Sequence, residues 1–277
     1  MKIFYLALHL IIFSCGSVKL DTQKEYEEIF GNLKGKISQI EIYTKYYPTE
    51  ENDTIIQREN HKYFFNKNKL SKEINNYLNF NDSDTTTYFY NHKLLDNEIR
   101  KTKNIISKRK YFYNNKKNLI NKKIINNGEL GIEIKYLYDK KNNLIEVESN
   151  EIKHNTKTVE KYVNDYKSKT VEIITLKNGN EKSNILLKKH FNKKGILIKS
   201  EFLYTDEPKK KYSWYTLIDY DKYGNITCRK SFHYDGNQYG KTCYVYNYDK
   251  IGNIIFSKTF FNDKLFEESN YNIIYDD

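Results

Sequence analysis

The chain has 277 residues, 47 Lys and Arg against 36 Asp and Glu for a formal charge of +11, and a mean hydropathy of −0.84. That length allows one or two domains, but 38% hydrophobic residues is lean for a two-layer globule, so 27 Tyr and 15 Phe must supply much of the packing. The Lys residues are scattered among Asn, Ile and Tyr throughout, which argues against the concentrated footprint of a nucleic-acid binder.

Met1-Lys2 gives a positive start, Ile3 to Phe13 is an apolar run broken by His9, and Ser14-Cys15-Gly16 follows. Eleven residues are too few to span a bilayer as a helix, which takes ~20, but suit the core of a secretory signal peptide over 1–14. Ile12-Phe13-Ser14-Cys15 resembles a lipobox with Cys15 as the lipidated residue; an ordinary signal peptide cleaved nearby is the alternative reading. Residues 15–33 read as a tether with a short helix over Gln23 to Phe30. From Ile37 to Tyr47, Ile40, Ile42, Thr44 and Tyr46 alternate with polar residues, the period of a half-buried strand.

The rest of the chain is organised by a heptapeptide of an aromatic, Asp or Asn, four residues rich in Lys, Asn and Gly, and Ile or Leu at the seventh position. Two close copies begin at Tyr220 (with Asp221, Gly224, Asn225) and Tyr248 (with Asp249, Gly252, Asn253). Three others begin at Tyr113-Asn114, Tyr138-Asp139 and Phe191-Asn192, the last with Gly195. The Asp or Asn side chain folds onto its own turn, and Gly supplies the positive φ of a three-residue hairpin loop with a bulge. Such a loop pairs Tyr248 with Ile254 and sets Tyr246 opposite Phe256. Lys117, at the Gly position, predicts an irregular turn. Looser copies are Phe65-Asn66 before Leu70, Tyr90-Asn91 before Leu94 and Phe261-Asn262 before Leu265, and an unmatched repeat falls near Tyr166. With only two Pro and a recurring period, the expected fold is all-β: about 8 antiparallel hairpin units of 23–29 residues over residues 34–277, forming one long curved sheet whose last strand is an edge.

The Tyr-Asp-x-x-Gly-Asn-aliphatic unit resembles the signature of the YD-repeat (Rhs-like) family. The resemblance implies hairpins joined into curved sheets, in some large members closed into hollow shells, and in some wall-associated members a link to carbohydrate binding.

A two-residue turn at Asp235-Gly236 sets Cys228 opposite Cys243 in a hydrogen-bonded pair with Cα atoms ~5.5 Å apart, within disulfide reach; two reduced thiols are the alternative. Tyr212, Trp214 and Tyr215 form the one cluster on which a sugar or peptide could stack, against a reading as core packing. The six His are dispersed, and neither a zinc motif nor a phosphate loop nor a nucleophile elbow is present. No catalytic residue, metal or cofactor is expected. The sequence therefore points to a non-enzymatic cell-envelope lipoprotein, held at a membrane by its lipid, whose sheet is a scaffold or binds a protein or glycan. A partner of a repeat-containing toxin, or a polyanion-binding surface, are the competing readings.

Overall fold

The structure, a computed structural model, describes residues 33–47, 58–67, 69–77, 82–178 and 181–276. The signal segment, Cys15 and the helix expected over Gln23–Phe30 lie outside the described residues.

Eighteen strands follow one another: β1 (Ile37–Tyr46), β2 (Arg58–Asn66), β3 (Lys69–Tyr77), β4 (Asp82–Asn91), β5 (Leu94–Lys101), β6 (Ile106–Tyr113), β7 (Leu119–Asn126), β8 (Glu129–Tyr138) and β9 (Leu144–Glu151). They continue as β10 (Thr156–Asp165), β11 (Thr170–Lys177), β12 (Glu181–Phe191), β13 (Leu197–Tyr204), β14 (Trp214–Tyr220), β15 (Ile226–His233), β16 (Gln238–Tyr248), β17 (Ile254–Phe261) and β18 (Lys264–Tyr275). One 3₁₀ segment, Glu207–Tyr212, lies between β13 and β14. Each strand is antiparallel to the next, and β18 pairs with β1 through Ile42–Tyr271, Tyr43–Asn270 and Thr44–Ser269.

The sheet is therefore a closed barrel, not the open curved sheet expected, and the last strand is not an edge. Closure pairs the backbone groups that two edge strands would leave open, and it buries the alternating face of β1, where Ile40 is 0% exposed. Partners step steadily from one rim to the other: Gln39 leads through Phe64, Lys72, Thr87, Ile99, Lys108 and Ile125 to Leu130. Such stagger is what tilts strands enough to close a barrel.

All five heptapeptides, and the turn after Asp165 that fills the unmatched repeat, lie at one rim, where β1 begins and β18 ends. Asp249 Oδ1 accepts the N–H groups of Ile251, Gly252 and Asn253 at 3.0, 2.7 and 2.8 Å. Asp221, Asn192, Asp139 and Asn114 close their turns in the same way. Lys117 adopts φ 65° within a regular turn, with Lys117 N–H donating to Asn114 O at 2.9 Å, because the same Asn114 clasp holds it.

A second bulge just after the aliphatic corrects the expected register. Tyr248 faces Ile254, but Asn247 then faces Phe256 and Tyr246 faces Ser257, with Ile255 the extra residue. Similar bulges pair Tyr90 with Leu95 and Phe260 with Leu265. A bulge re-aims the strand and adds twist, so each unit supplies some of the barrel's curvature. At Asp235-Gly236 the turn is not of the favoured two-residue types, both of which need positive φ at the first central residue, here Asp235. Gly236 alone is positive (φ 90°), His233 N–H reaches Asn237 O, and a compensating bulge restores the Cys228–Cys243 pairing.

The buried side chains form three clusters along the wall. One joins Ile37, Ile40, Ile42, Tyr63 and Leu70; a second Leu95, Tyr111 and Leu119; a third runs from Leu144 to Ile218. Inner-face residues such as Arg109, Lys122, Ile132 and Ile134 stay half-buried, as expected of a ring of sixteen to eighteen strands, which encloses a lumen.

Candidate functional site

Strand alternation gives the barrel two chemically different faces. The inner one carries Tyr46, Tyr63, Tyr77, Tyr88, Tyr111, Tyr136, Tyr162, Tyr246 and Tyr271, most of their phenols raised above the ordinary range chiefly by burial, Tyr77 to about 12. Between them, on β2 to β6, runs a polar network. Arg100 pairs with Asp84 at 2.7 Å and Arg109 with Glu98. The hydroxyls of Tyr111, Tyr88 and Tyr77 donate to Glu98, Glu73 and Asp84 at 2.9, 2.8 and 3.2 Å. Asn75 donates to Glu73 (2.9 Å) and Asp84 (3.0 Å).

His61 bridges Glu59, at 3.0 Å, and Asn75. Burial would lower its pKa, but these hydrogen bonds outweigh it and hold the imidazole above its usual value. On β18, burial raises the Glu267 carboxyl despite a 3.1 Å bond from Ser269. Carboxylates fixed by cations and phenols in this way act as oriented hydrogen-bond acceptors, the groups that select hydroxyl and amide ligands. Among the described residues, no group of three or more His, Cys, Asp and Glu is placed to hold a metal ion.

The outer face carries ion pairs instead: Lys62–Glu41 (2.8 Å), Lys157–Glu148 (2.7 Å), Lys188–Glu172 (2.8 Å) and Lys258–Glu268 (2.8 Å). The same face also exposes Tyr43, Phe89, Phe112, Leu137, Val163 and Val245, so charged and apolar side chains are interspersed along it.

At the heptapeptide rim several neighbouring turns lock to one another. Tyr248 O–H donates to Asp221 while Asn225 Nδ2 donates to Tyr248 Oη at 2.9 Å. One unit on, Tyr275 O–H donates to Asp249. Asn253, 1% exposed, donates to Tyr275 Oη and Lys34 O (both 2.8 Å) and accepts from Lys34 N–H (2.6 Å), fixing the chain where it enters the barrel. Tyr138 and Tyr220 O–H donate to Leu119 O (2.9 Å) and Leu197 O (2.7 Å).

Tyr212, Trp214 and Tyr215 do not form one site. Trp214 stacks on Phe202 of the inner face at 4.7 Å, Tyr215 stacks on Phe232 of the outer face at 5.1 Å, and Tyr212, 58% exposed, sits on the 3₁₀ segment. Adjacent strand residues point to opposite faces, which breaks the cluster apart. Cys228 and Cys243 are joined by a disulfide with Cα atoms 4.1 Å apart, nearer to a non-hydrogen-bonded pair (~4.5 Å) than to the hydrogen-bonded pair expected. The inner network was not anticipated from the sequence, although an acid, a polar residue and Tyr at alternate positions recur in Glu59-His61-Tyr63, Glu73-Asn75-Tyr77 and Asp84-Thr86-Tyr88.

No family model matches the chain, and no curated protein matches it. Among solved structures, a porin-like protein from Bacteroides uniformis aligns at 13% identity over 86% of this chain and 96% of its own, with a TM-score of 0.45. The Photorhabdus luminescens Tc holotoxin pore aligns at 10% identity over 78% of this chain and 14% of its own, TM-score 0.36. A LolA superfamily protein from Nitrosomonas europaea aligns at 8% identity over 96% of this chain and 95% of its own, TM-score 0.29.

Proposed function

We propose that this chain is a non-enzymatic, lipid-anchored envelope protein of YD-repeat type whose closed hairpin wall holds a glycan or peptide ligand against its inner face. The observation that carries this reading is the inner wall itself, where phenols alternate with carboxylates fixed by Arg100, Arg109 and Asn75. Aromatic faces flanked by oriented acceptors are a recognition surface for polyhydroxylated and amide ligands. Arg100 and Arg109 are each paired with a carboxylate, which disfavours a polyanion at that part of the wall.

Saturation-transfer NMR of the full chain against envelope glycans and peptides tests this. A ligand whose affinity falls about tenfold in Arg100→Ala and Tyr88→Phe supports it. Binding indifferent to both changes, or chemical turnover of the ligand, contradicts it. Anchoring is tested separately: Cys15→Ala should move the protein from the membrane to the soluble fraction.

A further inference from the structure

The two rims differ in charge far more than composition requires. The eight turns at the heptapeptide rim, residues 67–68, 92–93, 114–118, 139–143, 166–169, 192–196, 221–225 and 249–253, hold twelve Lys against three Asp. Among the described residues, the connections at the opposite rim hold five Lys against four Asp and Glu. The three Asp of the first rim are turned onto their own backbone N–H groups, while Lys116, Lys140, Lys193, Lys222 and Lys250 project from the tips and are exposed.

Just inside this cationic ring, on the outer face, stand exposed apolar side chains, among them Phe112 (42%), Leu137 (55%), Ile198 and Ile255. Between two turns an open groove of about 670 Å³ has Lys116 and Asn142 at its lip and Ile120 and Leu137 along its side. The chain also enters the barrel here, through the Lys34–Asn253 bonds.

We infer that the heptapeptide rim is a docking face for the surface of an anionic phospholipid bilayer. Its lysines meet headgroup phosphates, its apolar ring dips into the headgroup–acyl boundary, and the barrel stands with the opposite rim away from the membrane. Cation and apolar side chains in one band are the pairing that interfacial binding uses, and the area joins the rim to which any anchor at Cys15 is tethered. The inference borrows only that tether from the proposed function; the charge and apolar arguments stand without it.

The test is vesicle co-sedimentation of the full chain carrying Cys15→Ala, which removes the lipid, on phosphatidylcholine vesicles with and without about one-third phosphatidylglycerol. Reversing four turn lysines (K116E, K140E, K193E, K250E) should lower partition onto the anionic vesicles at least about tenfold, while four reversals at the opposite rim (K103E, K153E, K209E, K211E) should change it less than about twofold. Leu137→Ser with Phe112→Ser should weaken the binding that survives high salt. Equal losses from both rims, equal binding to neutral vesicles, or tighter binding of single-stranded DNA with no effect of the Leu137 and Phe112 changes would each overturn the inference. A failure here leaves Cys15→Ala fractionation and lumen binding intact, so the two proposals fail separately.

Discussion

The two rims of the barrel solve the same problem, reversing a strand, with different chemistry. At the heptapeptide rim an Asp or Asn clasps its own turn and a Tyr or Asn from the next unit reaches across, as in Tyr248–Asp221 and Asn253–Tyr275. At the opposite rim no Tyr bridge recurs among the described residues; instead single Asn residues pair edge-on with the neighbouring strand end, Asn127 donating its N–H to Ile106 O and accepting from Ile106 N–H through Oδ1 (2.9 Å), and Asn262 doing the same to Lys241 (2.8 Å). What sets the heptapeptide rim apart is the recurring Tyr that reaches to the next turn, and its tip lysines point to solvent. The other is set by the strands beneath it and tolerates varied lengths, including the 3₁₀ segment.

The difference can be broken at several points. The hairpin of β15 and β16 turns at the opposite rim without a Tyr ladder and is stapled by Cys228–Cys243, 15 residues apart. Its double Ser variant should lose about 3 kcal/mol, the entropy of closing such a loop, measured by urea denaturation under oxidising conditions. A loss near zero would mean that the thiols are not joined.

Asn253→Ala at the first rim strands the Lys34 backbone groups and should cost about 2 kcal/mol. The matching change at the other rim, Asn237→Ala, concerns an exposed side chain and should stay within about 0.5 kcal/mol. Equal costs would erase the contrast between the rims.

Titration gives a smaller effect with two signs. Burial tends to raise the Asp249 carboxyl, but donation from Tyr275 and from the Asn253, Gly252 and Ile251 N–H groups outweighs it, so the folded pKa lies below the ordinary 3.8. Its stabilising contribution is present above that value and is lost as pH falls through the folded pKa. Asp249→Asn should therefore flatten the acid limb of a plot of melting temperature against pH. Glu267 behaves oppositely: burial raises it, so its contribution is full below 4.5 and lost as pH rises through the folded value. Glu267→Gln should stabilise the protein at neutral pH by under about 1 kcal/mol, with little change below pH 4.

The sequence made the turns legible because their chemistry is local: Asp249, Gly252 and Asn253 need only their own segment to form a loop. The partners of those turns were less legible. Nothing near Ile255 marks it as the extra residue of a bulge, and that one position moved Phe256 from Tyr246 to Asn247. Closure was hidden for a related reason, since the meeting of β1 with β18 is set by accumulated stagger and by the burial of Ile40 and Ile42, not by a motif in either strand. The inner network of Asp84, Glu98, Arg100 and Arg109 was masked by a composition in which charged residues occur everywhere. Only knowing which face is enclosed separates these four from the outer ion pairs.

Closure itself is the claim on which the lumen, the two rims and the proposed docking face all depend. Thr44 and Ser269 are register partners across the seam, with hydroxyl oxygens 2.9 Å apart. With Cys15 replaced by Ala and Cys228 and Cys243 by Ser, a Thr44→Cys, Ser269→Cys chain should oxidise in air to an intramolecular disulfide, seen as a faster band on a non-reducing gel and a single linked peptide by mass spectrometry. Two persistent free thiols, or cross-links only between separate chains, would mean that β1 and β18 do not meet and that the barrel is open.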